Sequence, residues 1–187
     1  MSAVSKKDEP LLGPLDGIRV LDFSMFLAGP YCTRLMADLG AEIIKVEPPG
    51  GDFLRNTPPY RNGQSAYFAH MNCGKKSIVL DLKSQKGRQA ILELIHTVDV
   101  VLENFRPGVM ARLDLDYTTL SALRPELVYC AVSGYGQTGP GSQRPAFAPI
   151  IHAASGHDLI MMNYQGDTAE PPPTRSTTAD ILGATHA

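Results

Sequence analysis

Few side chains in this 187-residue chain are placed for chemistry, and those few suggest a site for a phosphorylated ligand. The turn Ser24-Met25-Phe26-Leu27-Ala28-Gly29-Pro30 follows an apolar run and opens a helical pattern, the place where a dinucleotide-binding fold carries G-x-G-x-x-G. Those glycines are missing, so the phosphates of a nucleotide bound here would have to be held by cationic side chains. Lys75 and Lys76 are candidates on charge alone, with solvated surface lysines as the competing reading. Asp180 falls in the first turn of a helical pattern running from Ala179 onward, a position the helix macrodipole favours for any carboxylate. Cys32, Cys73 and Cys130 lack C-x-x-C spacing and lie in or beside apolar elements, which points to buried thiols, not to a redox or metal set. There is no H-E-x-x-H, no G-x-S-x-G around Ser133 and no Walker glycine-lysine motif.

The elements that must position these residues follow from the apolar pattern. Strands are expected at Ile18 to Phe23, Glu42 to Val46, Ser77 to Leu82, Val98 to Leu102 and Leu127 to Val132. Helices are expected at Gly29 to Leu39, Lys86 to His96, Tyr117 to Leu123, part of Pro149 to Ile160, and from Ala179 on, with Ile91, Leu92, Leu94 and Ile95 forming a sheet-packing stripe. Strands alternating with helices imply parallel pairing and a doubly wound, Rossmann-like α/β sheet. Pro48 to Gly63 and Gly134 to Pro149 are rich in Gly and Pro and read as ordered functional loops, while Gly166 to Pro173 reads as an extended linker.

Composition excludes several classes. With 43% hydrophobic and 19% charged residues the chain is globular, and a net charge of −2 without a basic block argues against nucleic acid or an anionic membrane as partner. No apolar run approaches the roughly 20 residues of a membrane span. The N-terminus MSAVSKKDEP has neither the apolar core of a signal peptide nor the acid-poor composition of a transit peptide, so a cytoplasmic location is expected.

From Pro14 to Ala187 the chain resembles the N-terminal part of the class III CoA-transferases, a group that includes formyl-CoA and carnitine CoA-transferases and the related α-methylacyl-CoA racemases. The resemblance rests on several motifs in order: Val20-Leu21-Asp22-Phe23 with Ala28-Gly29-Pro30; Asp38-Leu39-Gly40-Ala41-Glu42 leading to Lys45-Val46-Glu47; Asn72-Cys73-Gly74-Lys75-Lys76-Ser77; Glu103-Asn104-Phe105-Arg106-Pro107-Gly108; and Ser133-Gly134-Tyr135-Gly136. It implies a large CoA-binding domain over residues 14–187, preceded by a flexible segment 1–13, with the family's C-terminal part and small domain beyond the chain. It further implies CoA contacts at Ala28, Leu80, Lys83, Asn104, Phe105, Arg106 and Arg112, and a catalytic carboxylate at Asp180. Met25, Phe26, Leu27 and Ala28 would then line the mouth of the CoA site.

The activity so implied is transfer of coenzyme A between an acyl-CoA and a carboxylic acid. It would proceed through an aspartyl acyl-anhydride and an aspartyl-CoA thioester, with CoA as substrate, no tightly bound cofactor and no metal. The implied assembly is an interlocked homodimer of the full-length form. A racemase-type isomerase is the alternative, but the histidine that branch requires falls near Phe147-Ala148, neither of which can take a proton. His152 and His157 do not match its offset, and a histidine in an Ala/Ile-rich helix reads as a packed one. A CoA-binding fragment without turnover is a third reading. The apolar Met25 and Leu27, where formyl-CoA transferases are polar, favour an acyl group larger than formate or oxalate.

Overall fold

The computed structural model describes residues 13–164 and 177–187. The segment expected to be a flexible N-terminus and the linker at Gly166 to Pro173 lie outside the described residues, apart from Gly13.

Seven strands and eight helices are described. In chain order they are β1 (Arg19–Asp22), α1 (Ala28–Asp38), β2 (Glu42–Glu47), β3 (Tyr60–Arg61), β4 (Gln64–Ser65), α2 (Ala66–Asn72), β5 (Lys76–Val79), α3 (Gln85–Ile95), β6 (Val100–Glu103), α4 (Val109–Arg112), α5 (Tyr117–Leu123), β7 (Val128–Ala131), α6 (Ala148–Ser155), α7 (His157–Met162) and α8 (Thr178–His186). Five strands form one sheet in the order β5-β2-β1-β6-β7, and every pairing in it is parallel. The order in which the chain adds strands reverses between β1 and β6. In such sheets a ligand crevice opens beyond the carboxyl ends of the two strands at that reversal.

Alternation along the short strands divides the core between two faces. Leu21, Val46 and Val101 pack with Ile91 and Ile95 of α3, Met110 of α4 and Leu120 of α5. Val20 and Ile43 point the other way, against Met36 and Ala37 of α1. Leu102 joins Cys32 of α1 and Ala184 of α8. Helices cover both faces, so the sheet is doubly wound as the sequence predicts.

Local capping explains where several helices begin. The side chains of Ser65, Ser84 and Asp116 accept from the backbone N–H groups of Phe68, Gly87 and Thr119, satisfying donors that helix starts leave open. The segment from Pro48 to Gly63 is less irregular than expected: a 3₁₀ turn spans Phe53–Asn56, and β3 and β4 form a small antiparallel hairpin leading into α2. Its proline and glycine content hid a single helical turn and a two-residue ladder, both too short for a detectable period. Gly134 to Phe147 does remain without regular elements. Cys32 is buried and Cys130 partly so, but Cys73 is exposed because it stands at the end of α2 where the chain turns, a correction to the reading of all three as buried.

On the α1 side of the sheet the strand ends carry charges. Asp22, fully buried, accepts from the Ser24 backbone N–H at 2.9 Å, the Ser24 hydroxyl, the Thr33 hydroxyl at 2.6 Å and the Lys75 ammonium at 3.0 Å. Lys45 donates to the Ser24 carbonyl at 2.7 Å and pairs with Asp52 at 2.9 Å. Glu47 takes a two-pronged contact from Arg55, 2.6 Å to each oxygen, and a bond from Ser77. Burial raises Glu47, but Arg55, Ser77 and the Asp52 backbone N–H outweigh it and bring the carboxyl to about 2. These ions hold the opening turn and the loop after β2 in one rigid unit.

Candidate active site

The turn after β1 is shaped by close packing. A Cβ on Gly29 would lie 2.2 Å from Ser24 Cβ, so only glycine lets α1 start this close to the turn. Phe26 adopts a left-handed φ of 63°, unusual for a bulky residue, and its exposed ring contacts Phe53 and Phe147. Leu27, expected at the mouth, is instead buried against Leu54 and Met71, because the helix entry turns its side chain inward. Across the reversal point, Asn104 clamps this turn: its Oδ1 accepts from the Met25 N–H and its Nδ2 donates to the Met25 carbonyl, both at 2.8 Å.

Two adjacent cavities meet at Phe105. The first, about 240 Å³, is bounded by Ala28, Asn104, Phe105, Arg106, Phe147 and Asp180, among others. The second, about 340 Å³ and mainly apolar, is bounded by Met25, Leu80, Lys83, Phe105 and Arg112, with Pro48 and Pro49 at its rim. All seven positions expected to contact CoA therefore lie on one wall or the other, and Asp180 lies on the first. Lys83, Arg106 and Arg112 are exposed, and among the described residues none pairs with a carboxylate. They are therefore open to a phosphate.

Lys75 and Lys76 are not. The Lys75 ammonium is 1% exposed and donates to Asp22, the Pro30 carbonyl and Asn72, while Lys76 at the sheet edge pairs with Glu42 at 2.7 Å. Lys75 precedes β5 and Lys76 opens it, so equal charge in the sequence becomes a buried counter-ion in one case and an edge ion pair in the other.

Asp180 occupies the first turn of α8, which α1 and Ala184 anchor against the sheet. Burial raises its carboxyl above the ordinary range. Tyr67 of α2 lies close enough that the Asp180 charge, after burial, raises its hydroxyl. The Ser133 hydroxyl is buried on the wall of the same cavity without a hydrogen-bond partner, and Arg144 also reaches that wall. Neither Tyr67, Ser133 nor Arg144 was singled out from the sequence as a site residue. Only the Ser133-Gly134-Tyr135-Gly136 motif carried a signal, and it did not specify a role.

His152 is packed as expected: it is 1% exposed and its ring stacks on His157 with centroids 4.6 Å apart. Its Nε2 accepts from the Ala179 backbone N–H at 3.0 Å. Phe147, near which the resemblance puts the histidine of the racemase branch, is a hydrocarbon part of the cavity wall.

Known proteins resemble this chain over most of its length. The chain is 46% identical over 175 residues to an acetyl-CoA:oxalate CoA-transferase of Acetobacter aceti, covering 91% of this chain and 44% of that protein. It is 42% identical over 160 residues to the succinyl-CoA:glutarate CoA-transferase of Mus musculus, covering 84% and 37%. The crystal structure of a CAIB/BAIF family protein from Brucella suis superposes with a TM-score of 0.84 at 37% identity, covering 93% of this chain and 47% of that one. The chain thus spans less than half the length of each of these relatives. Residues 15–187 match the sequence profile of CoA-transferase family III, and with the parallel sheet, the ordered motifs and these relatives in agreement, the chain belongs to that family.

Proposed function

We propose that this chain forms the CoA-binding and nucleophile-bearing portion of an enzyme that transfers coenzyme A from an acyl-CoA to a carboxylic acid. The observation that carries this reading is that Asp180 stands on the wall of a cavity whose neighbour, across Phe105, offers an apolar groove ending in Lys83 and Arg112. The CoA moiety would lie along the second cavity, its phosphates neutralised by Lys83 and Arg112 and by Arg106 at the junction, with its thioester directed into the first.

An oxygen of the Asp180 carboxylate attacks the thioester carbonyl; the C–S bond breaks, leaving an acyl-aspartyl anhydride and the CoA thiolate. The thiolate then attacks the Asp180 carbonyl carbon. The anhydride C–O bond breaks, the first carboxylate departs, and an aspartyl-CoA thioester remains. An incoming carboxylate reverses the two steps and leaves as the new acyl-CoA, restoring Asp180. Every step is charge-balanced and needs no external proton donor. Partial burial suits the role, since a poorly solvated carboxylate is a stronger nucleophile than a hydrated one, and the first turn of a helix is a favourable place for a negative charge. An α-proton exchange would need a second base; the resemblance puts it near Phe147-Ala148, neither of which can take a proton.

The test uses protein expressed from the complete coding sequence. Incubation with an acyl-CoA gives an aspartyl-CoA adduct on Asp180, visible by mass spectrometry and removed by hydroxylamine. Asp180→Ala abolishes transfer and adduct while leaving CoA binding unchanged. Full transfer activity in Asp180→Ala would overturn the mechanism.

A further inference from the structure

The helix that carries Asp180 has no side-chain cap at its N-cap residue, Thr177. An uncapped first turn frays, because its N–H groups have no partners within the helix. Here one of them is satisfied from elsewhere: the Ala179 N–H, one residue before Asp180, donates to Nε2 of His152 on α6, 27 positions away in sequence. The acceptor belongs to a ring that is 1% exposed and held against His157 at 4.6 Å, so it has little freedom to move with a fraying turn.

We propose that His152 is a positioning residue for Asp180, an imidazole cap that fixes the first turn of α8 and thereby the direction of the carboxylate; this rests on the reading of Asp180 as nucleophile. The geometry also fixes the protonation pattern. Because Nε2 accepts, the ring proton sits on Nδ1, the atom without a hydrogen-bond partner. The same tautomer leaves Nδ1 no lone pair for a metal, so the cluster of His152, His157 and Asp158, whose ligand atoms lie within 4.8 Å of one another, is a packed group in this arrangement. The cap is separate from the cavity holding Lys83 and Arg112, so its loss acts on reaction and not on capture of the CoA moiety.

Two variants test this in protein expressed from the complete coding sequence. His152→Leu keeps an apolar body but has no acceptor; His152→Gln places an amide oxygen near the Nε2 position. His152→Leu lowers kcat by about 10- to 100-fold, the size expected of a misplaced reacting group, with KM for the acyl-CoA changed by less than about 3-fold. His152→Gln restores kcat to within about 3-fold of the parent. A parent-like kcat in His152→Leu, or an equal loss in both variants, overturns the proposal. Nitrogen-15 NMR of histidine-labelled parent protein tests the cap without any variant: an unprotonated Nε2 and a protonated Nδ1 at His152 are expected, and a proton on Nε2 overturns it. Asp180→Ala is assayed alongside. Retained transfer in that variant would refute the nucleophile, whereas the NMR result would still decide the cap.

Discussion

Replacing Lys75 by Met removes a buried positive charge without removing its hydrocarbon stem. In the folded protein the ammonium makes three contacts, to Asp22 at 3.0 Å, the Pro30 carbonyl at 2.8 Å and Asn72 at 2.9 Å, and both members of the Lys75–Asp22 pair are at most 1% exposed. Deleting one partner of a buried pair leaves the other uncompensated and costs about 3–5 kcal/mol. Asp22 keeps three donors, from Ser24 twice and Thr33 once, and Lys45 remains nearby, which places the loss toward about 3 kcal/mol. In a protein of this size that lowers Tm by roughly 6–12 °C.

The pH dependence gives the sharper test. Burial pushes Asp22 up, but Lys75, Lys45 and the two hydroxyls more than offset it, so its carboxyl is held below its ordinary value. A depressed carboxyl contributes stability that is present above the unfolded value, about 3.9, and is lost as pH falls through the folded one. In Lys75→Met the balance shifts toward burial and Asp22 is more easily protonated. The gap between parent and variant therefore narrows as pH falls from 7 toward 4. The assay is denaturant unfolding of the parent, Lys75→Met, Asp22→Asn and the double variant at both pH values, with the double variant recovering part of the summed loss. A cost below about 1 kcal/mol at pH 7, the level of an exposed pair, or a gap that widens in acid, would refute the account.

Two further outcomes follow from the same geometry. If CoA lies as proposed, Arg112→Ala and Lys83→Ala each raise KM for the acyl-CoA by about 10-fold, the worth of one charge-assisted contact, with kcat nearly unchanged in steady-state kinetics, and the Arg112 effect shrinks for a CoA analogue lacking one phosphate. Burial raises Glu103 to about 7, opposed by the bond it accepts from the Phe105 N–H, so ionising it costs about 3 kcal/mol in the folded protein. Because the folded value lies above the unfolded one, stability falls as pH rises between them. Glu103→Gln keeps the acceptor and abolishes that decline, measured as the stability difference between variant and parent from pH 4.5 to 8.

The sheet strands and the longer helices that cover them were legible because their signals are local: each strand is a short apolar run, and α3 carries an apolar stripe that needs a surface to cover; the four-residue α4 had no such signal. The small elements between β2 and β5 were not, since a two-residue ladder and a seven-residue helix hold too few residues to show a period. For the site, the family resemblance implied CoA contacts at Ala28, Leu80, Lys83, Asn104, Phe105, Arg106 and Arg112 and a catalytic carboxylate at Asp180. It did not show that these line two cavities sharing Phe105, nor that Asn104 spends both its amide groups on the opening turn.

By itself, then, the sequence determined the alternation of strands and helices, the glycine that lets α1 approach the turn, the absence of a phosphate-cradling loop and the family. Tertiary structure decided which charges are free. Lys75 and Lys83 are the same residue type in similar polar stretches, yet one is a counter-ion inside the protein and the other faces an open groove. It also decided that His152 caps Ala179. Burial and long-range hydrogen bonds depend on which segments meet in space, and residues 27 positions apart carry no local pattern that announces the meeting.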